Sequence, residues 1–271
     1  MLKEKLRAVQ ETNEMLSTKE AFELAKEMMA NIGSTDPVLR DELIYSMLSK
    51  WIVNRLFSAE HLKELLMISI DDTHLFYGLG DSDSDTVFTR SFSTLITAVI
   101  LYRNNEDHFL SNKLLNRVKE AVLRYAKAER DVRGYIEGKG WAHSIAHLAD
   151  CLDELVMNNG LDKMDLSKML DIIQLKIMEP DCVFDSEEDE RMVTPVCAIV
   201  ERGIVPEVYI NEWILRFKYF KKTDDHIKDY RIQVNSKHFL RSLYFRFRQK
   251  GTNDFQPAIL EALDKLNLHY R

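Results

Sequence analysis

The residues best suited to chemistry lie in one stretch, residues 131–155, where a glycine-rich loop leads into an amphipathic helix. On a helix over this stretch, His143, His147, Asp150 and Glu154 share an arc of roughly 60°. Two histidines four residues apart can ligate one metal ion, and Asp150 can complete the ligand set or orient His147. The spacing therefore permits a divalent-metal site at His143, His147 and Asp150, or a catalytic site with the histidines as general bases.

The same stretch also has an interpretation without metal. It lacks the glutamate directly after the first histidine that makes a zinc-protease helix catalytic. Histidines on a polar helix face are often solvated or hydrogen-bonded to nearby carboxylates. The loop glycines Gly134, Gly138 and Gly140 favour a ligand site, because such loops let the backbone approach a ligand and leave helix N-terminal amides for an anion. The loop could equally be a tight connection between two helices, so both interpretations stay open.

Two further polar clusters begin other helices. The aspartates of the first alternate as in a calcium loop, but the glycine and the glutamate that complete an EF-hand are absent. Both clusters also suit a simpler role, in which acidic residues complement a helix dipole. The clusters comprise Asp81, Asp83, Asp85, Thr89 and Arg90, and Asp181, Asp185, Glu187, Glu188, Asp189, Glu190 and Arg191. We take Arg90 as a further candidate catalytic residue, and Arg133, Lys139, Trp141, Asp189 and Arg191 as candidate ligand-binding residues.

The framework that must position these residues is predicted to be all-α. Helix boundaries are marked by Gly33 as a stop, by Asp36 and Pro37 as a start, and by Ser58 and Ser111 as N-caps. No sustained alternation of β-branched residues indicates strands. We expect stacked antiparallel helix pairs, a HEAT-like α-solenoid or α-α superhelix, in one domain over residues 1–271. Loops at one end of such a stack share a face, so the three polar clusters are expected to converge.

Composition narrows the classes of function. The net charge of −7 argues against a nucleic-acid partner held by phosphate neutralisation. The three cysteines show no CxxC spacing, which indicates reduced thiols. The sequence contains no apolar run of about 18 residues, so we expect neither a membrane span nor an export signal. We therefore expect a cytoplasmic protein whose partner is a small molecule or another protein.

Three segments carry a resemblance to a known family. They run from Asp85 to Ser93, from Asp131 to Asp150 with the pattern Gly-Trp-Ala-His-x-x-Ala-His-x-x-Asp, and from Glu188 to Arg191. Over about residues 30 to 260 the chain resembles DUF2785, a bacterial family of uncharacterised proteins. The resemblance implies an all-helical protein without an assigned reaction. It marks as family-type positions, with no known role, Arg90, Arg133, Trp141, His143, His147, Asp150, Asp189 and Arg191.

Two functions fit these patterns. One is a small-molecule or metal-assisted hydrolase with a polar cleft around His143, His147 and Asp150. The other is a non-enzymatic α-solenoid scaffold that presents a concave helical face to a peptide or a protein. The enzyme requires a deep pocket with perturbed titratable groups, whereas the scaffold requires a long open groove with exposed aromatic side chains.

Overall fold

The structure, a computed structural model, describes residues 1–12 and 16–267. Helices dominate this part of the chain, and one short hairpin is its only sheet. The predicted all-α fold class is thus confirmed. None of the helices described is long and apolar enough to cross a membrane. The chain divides into two compact units, Met1–Glu154 and Leu155–Arg271. A single domain and a regular helical repeat stay predictions.

The first unit is built around one buried helix, α5. Along α5 the apolar side chains of Val87, Phe88, Ile96 and Ile100 are fully buried, and so are the polar side chains of Arg90 and Ser91. The elements of this unit are α1 (Leu2–Thr12), α2 (Thr18–Met29), a π-helical segment (Val38–Tyr45) continuous with α3 (Ser46–Val53), α4 (Ala59–Ser69), α5 (Thr86–Asp107), α6 (Asn112–Ala128), β1 (Tyr135–Ile136), β2 (Gly140–Trp141) and α7 (Ser144–Val156), whose last two residues lie past the boundary.

The second unit packs around an aromatic cluster. The Trp213 and Phe217 rings meet edge to face at 5.3 Å, and Phe217 stacks on Phe239 at 5.3 Å. The Trp213 indole N–H donates to the Leu170 carbonyl at 2.9 Å, so the buried ring has a polar partner. The elements are α8 (Lys163–Ile177), α9 (Glu188–Arg202), α10 (Glu207–Arg216), α11 (His226–Lys250) and α12 (Gln256–Leu266).

The predicted helix caps are confirmed where the signal is local. The Ser58 and Ser111 hydroxyls each accept the backbone N–H three residues ahead, at 3.3 Å. A further cap starts the long helix α11 at His226, where the Asp225 carboxylate accepts the N–H groups of Ile227 and Lys228. Pro195 lies inside α9.

Candidate functional site

His143 lies directly before α7 and not within it. Its φ is 49°, in the left-handed region, and its carbonyl accepts the His147 N–H at 2.9 Å. The helix begins only at Ser144, because Trp141 pairs with Tyr135 in the hairpin β1–β2. The expected helical stripe is therefore wrong at its first member. His147, Asp150 and Glu154 lie on α7, whereas His143 is held by the loop.

Aromatic rings form a continuous row from solvent into the core of the first unit. The Tyr135 and Trp141 rings meet at 5.0 Å and 74°, and Trp141 stacks on His143 at 4.2 Å and 14°. The His143 ring lies 5.9 Å from His147, which meets the buried Phe92 ring edge to face at 5.0 Å. Tyr135 is 54% exposed and Trp141 is 43% exposed. We call Tyr135, Trp141 and His143 the aromatic surface.

A buried serine sets the tautomer of neutral His147. The Ser91 hydroxyl donates to the Ala142 carbonyl and lies 2.7 Å from His147 Nδ1. Because a carbonyl only accepts and the hydroxyl has one proton, His147 Nδ1 must donate to Ser91. Neutral His147 is thereby held as the tautomer whose lone pair is on Nε2, the form that acts as a general base or a metal ligand through that nitrogen.

The side chain of the fully buried Arg40 binds backbone carbonyl groups of the hairpin. Its Nη2 donates to the carbonyls of Lys139 at 2.9 Å and Trp141 at 3.4 Å, while Nη1 donates to the Ser34 carbonyl at 2.8 Å. Gly140 makes this approach possible, since a Cβ there would lie 3.1 Å from Arg40 Nη2 and its φ is 80°. The hairpin is thus fastened to a residue about a hundred positions earlier in the sequence.

The charge of Arg40 is accommodated by an ion pair and two aromatic faces. Nε donates to the Asp41 carboxylate at 2.7 Å, and the guanidinium lies 4.2 Å from the Phe88 ring centroid and 4.8 Å from that of Phe92. Burial lowers the pKa of Arg40, and the Asp41 charge opposes that shift. Phe92 also contacts His147, so Arg40 lies under the same row of rings as the aromatic surface.

A second buried arginine, Arg90, fixes the start of the loop. Its Nε and Nη2 donate to the two Glu129 oxygens at 2.6 and 2.9 Å, and both side chains are buried. Glu129 Oε1 also accepts the N–H groups of Arg130 and Asp131, each at 2.9 Å. Burial opposes the charge of Arg90, but Glu129 outweighs it and holds the pKa of Arg90 above its ordinary value.

The remaining donors of Arg90 also bind the protein itself. Nη1 donates to the carbonyls of Tyr77 at 2.9 Å and Gly78 at 3.0 Å and to the Thr86 hydroxyl at 2.8 Å. This is the arrangement of a structural clamp. The catalytic role assigned to Arg90 from the sequence is tested by no observation and stays a prediction.

Two ion pairs hold the sides of the hairpin. Arg133 Nη2 bonds the buried Asp131 carboxylate at 2.6 Å and the Ser84 carbonyl at 2.9 Å. Lys139 Nζ donates to both Asp85 carboxylate oxygens at 2.7 Å. The candidate ligand-binding residues Arg133, Lys139 and Trp141 thus lie on one hairpin, beside the segment that contains the first acidic cluster.

Further along α7, Glu154 has a perturbed acidity. Burial raises its pKa to about 7, with the charges of Asp153 and Asp150 acting in the same direction and a hydrogen bond from Asn105 Nδ2 at 2.9 Å opposing them. Asp150 is half-buried one turn after His147. Glu154 is therefore an acidic residue of the helical stripe whose charge changes near neutral pH.

Glu154→Gln is expected to stabilise the protein at pH 8 by about 1 to 2 kcal/mol. The unfolded carboxyl ionises above about pH 4.5, whereas the folded one resists ionisation until about pH 7. The loss of folding free energy caused by ionised, buried Glu154 therefore grows between these two pH values and is constant above them. A fully buried group with this shift would cost about 3 kcal/mol, and partial exposure reduces that figure.

Urea unfolding at pH 4.5 and at pH 8 measures this effect. The stabilisation should vanish at the lower pH, and Glu64→Gln, at an exposed position on α4, should change stability by less than about 0.5 kcal/mol at both. A Gln variant that is less stable than the parent at pH 8 would contradict the raised pKa.

Among residues 1–12 and 16–267, no group of three or more His, Cys, Asp or Glu side chains is placed to hold a metal ion. The set His143, His147 and Asp150 is therefore not assembled as three converging ligands. The reason is local, since His143 lies in the loop and its ring stacks on Trp141. Metal binding through these residues stays a prediction.

The third polar cluster belongs to the second unit. Asp189 is half-buried on α9, where its carboxylate accepts the Ser242 hydroxyl at 2.8 Å. Arg191 is exposed on the same helix. The predicted convergence of this cluster with the first two, and the ligand-binding role of Asp189 and Arg191, stay predictions.

Sequence reasoning missed Tyr135, a member of the aromatic surface, and the residues that position this surface. Ser91 and Tyr135 lie inside the segments 85–93 and 131–150 that carry the family resemblance, so the pattern of these segments could have identified both residues. Glu129 ends a helix with no feature that predicts a buried ion pair. Arg40 is far from the hairpin in sequence, and nothing in one sequence links the two.

Comparison with known proteins gives one match. The family model described as "Protein of unknown function (DUF2785)" matches residues 75–245, more than half of the chain, and this range includes all nine candidate site residues. No curated protein and no solved structure matches the chain.

Proposed function

This chain belongs to the DUF2785 family, and because that family has no assigned activity, we propose from the geometry that it is a binding protein that takes a peptide or protein segment on the aromatic surface. The observation that carries the proposal is a pair of exposed aromatic side chains on a rigidly held hairpin. Tyrosine and tryptophan are over-represented among residues that dominate binding energies. Tyr135 and Trp141 are about half exposed to solvent although many contacts fix the hairpin beneath them.

Fixing the hairpin before a ligand binds costs folding free energy. Strands of two residues are too short to be stable by themselves, so the loop depends on Arg40, on the Arg90–Glu129 pair and on the Arg133–Asp131 pair. Burying each ion costs several kcal/mol before its partners compensate. A rigid presentation of exposed rings lowers the entropy lost when a ligand binds, which supports recognition as the role of this loop.

Trp141→Ala should abolish or weaken binding at least tenfold, about 1.4 kcal/mol. Because the side chain is 43% exposed, the variant should fold as the parent does. The measurement is selection of short peptides from a random displayed library on the immobilised full chain, followed by titration of the selected peptides. Tyr102→Ala, at a 40% exposed tyrosine on α5, is the matched control and should bind as the parent. Selected peptides that bind the Trp141→Ala variant as tightly as the parent would refute the proposal.

We place this binding function in the cytoplasm. Cys151, Cys182 and Cys197 form no disulfide in the described part of the chain, as expected in a reducing compartment. The net charge of −7 supports a partner other than a nucleic acid.

A second candidate, the small-molecule or metal-assisted hydrolase, is favoured by the tautomer of His147. A lone pair held on Nε2 suits either a general base or a ligand to a divalent metal. His143, whose ring is 5.9 Å from that of His147, and Asp150 would be the other ligands. A metal there would supply Lewis-acid activation of water or of a carbonyl group.

Elemental analysis of untagged protein purified without chelators distinguishes the two functions. The metal-assisted hydrolase predicts one divalent metal ion per chain that is lost in His143→Ala/His147→Ala while the helical content is retained. A parent protein without stoichiometric metal would exclude the metal-assisted version. Loss of stability in the double variant, without any metal in the parent, would identify the histidines as structural.

A further inference from the structure

We propose that the aromatic surface recognises an arginine side chain of a bound peptide segment, an inference that rests on the binding function proposed above. Tyr135 and Trp141 are direct cross-strand partners, so their side chains lie on one face of the hairpin, where their rings meet at 5.0 Å. Arg133 lies just before β1, and Lys139 lies in the turn just before β2, so a cationic side chain is near each ring along the chain.

Carboxylates lie beside the hairpin. Arg133 Nη2 donates to the Ser84 carbonyl at 2.9 Å, and Arg133 Nε lies 3.8 Å from an Asp83 oxygen. Lys139 Nζ lies 2.7 Å from an Asp85 oxygen. Residues 83–85 therefore run beside the hairpin that carries the exposed rings. The Asp83 side chain is 88% exposed, so its carboxylate is accessible to a ligand.

The charge of this region is negative after its own pairs are counted. Arg133 bonds the buried Asp131, and Lys139 bonds Asp85, so these two cations of the hairpin segment are largely neutralised. A cationic ligand is therefore favoured over an anionic one. In residues 81–85 and 130–141 the acids are Asp81, Asp83, Asp85, Asp131 and Glu137, and the bases are Arg130, Arg133 and Lys139.

Arginine suits this combination better than other cationic side chains. A planar guanidinium lies on a tryptophan or tyrosine face and at the same time donates two hydrogen bonds to one carboxylate. The chain uses the same chemistry internally, where the Arg40 guanidinium lies over Phe88 at 4.2 Å and bonds Asp41. An arginine against Trp141 or Tyr135 with Asp83 as partner would repeat that arrangement at the surface.

The test compares a synthetic peptide of alternating glycine and arginine with the same peptide containing citrulline, which keeps the planar group and removes the charge. The readout is the indole N–H resonance of Trp141 in the full chain, assigned with Trp141→Phe. We expect the arginine peptide to shift this resonance and not that of the buried Trp213. The citrulline peptide should bind about fivefold more weakly or worse, and added salt should weaken the arginine peptide.

Two variants complete the experiment. Asp83→Asn should weaken the arginine peptide about two- to fivefold. Asp171→Asn, at an exposed acidic residue on α8, should leave its affinity unchanged. Equal affinities of the two peptides at Trp141 would overturn the arginine inference while leaving the binding surface itself intact. Failure of both peptides to shift Trp141 would also overturn it, and the library selection would then judge the proposed function separately.

Discussion

Glu129→Leu is expected to lower the free energy of unfolding by about 3 to 5 kcal/mol, because it leaves the buried guanidinium of Arg90 without its anionic partner. The same carboxylate accepts the N–H groups of Arg130 and Asp131, so the first residues of the loop lose their anchor as well. Urea unfolding gives the stability, and hydrogen-exchange mass spectrometry of residues 130–141 reports the loop.

A double variant and a surface pair provide the controls for Glu129→Leu. Arg90→Met/Glu129→Leu should recover part of the loss, since no buried charge is left, although the carbonyls of Tyr77 and Gly78 lose their donor. Asp171→Asn removes the exposed pair with Arg216 and should cost less than about 0.5 kcal/mol. A Glu129→Leu variant within about 1 kcal/mol of the parent would show that this ion pair does not support the fold.

Arg40→Met is expected to cost about 2 to 4 kcal/mol and to release the hairpin. The variant leaves the carbonyls of Ser34, Lys139 and Trp141 without their common donor. Arg40→Lys should not restore the hairpin, because one ammonium group cannot reproduce the planar fork that reaches all three. Hydrogen exchange of residues 135–141 and the indole N–H resonance of Trp141 measure the release.

Lys139→Met is the matched control for Arg40→Met. It removes the half-exposed ion pair with Asp85 but keeps the Lys139 carbonyl that Arg40 binds. Its effect on stability should be below about 1 kcal/mol, with the hairpin still protected. Equal exchange of residues 135–141 in the two variants would show that Arg40 does not hold the hairpin.

These two arginines connect the fold to the proposed function. If the aromatic surface binds a ligand by being rigid, Arg40→Met should weaken peptide binding although Arg40 itself is fully buried. Trp141→Ala should weaken binding without a comparable loss of stability, because its side chain is 43% exposed. The pair of variants separates a residue that contacts the ligand from one that positions the surface.

What the sequence determined was local. The caps at Ser58 and Ser111 and the helical periodicity depend on residues within a few positions of each other, so the all-α fold followed from composition and spacing. The segment around His143 and His147 was recognisable for the same reason. The helix register there was not, because Trp141 joins β2 and delays the start of α7 to Ser144.

The tertiary structure alone decided which side chains position the site. Arg40 binds the carbonyls of Lys139 and Trp141, and Arg90 pairs with Glu129 across thirty-nine residues. A buried charge must find its partners in three dimensions, and one sequence carries no signal for which distant acceptor it will be. An acceptor that is a backbone carbonyl is harder still to predict, because every residue has one. Trp141 and His143 of the aromatic surface were therefore identifiable from the sequence, whereas the buried charges that hold the hairpin were not.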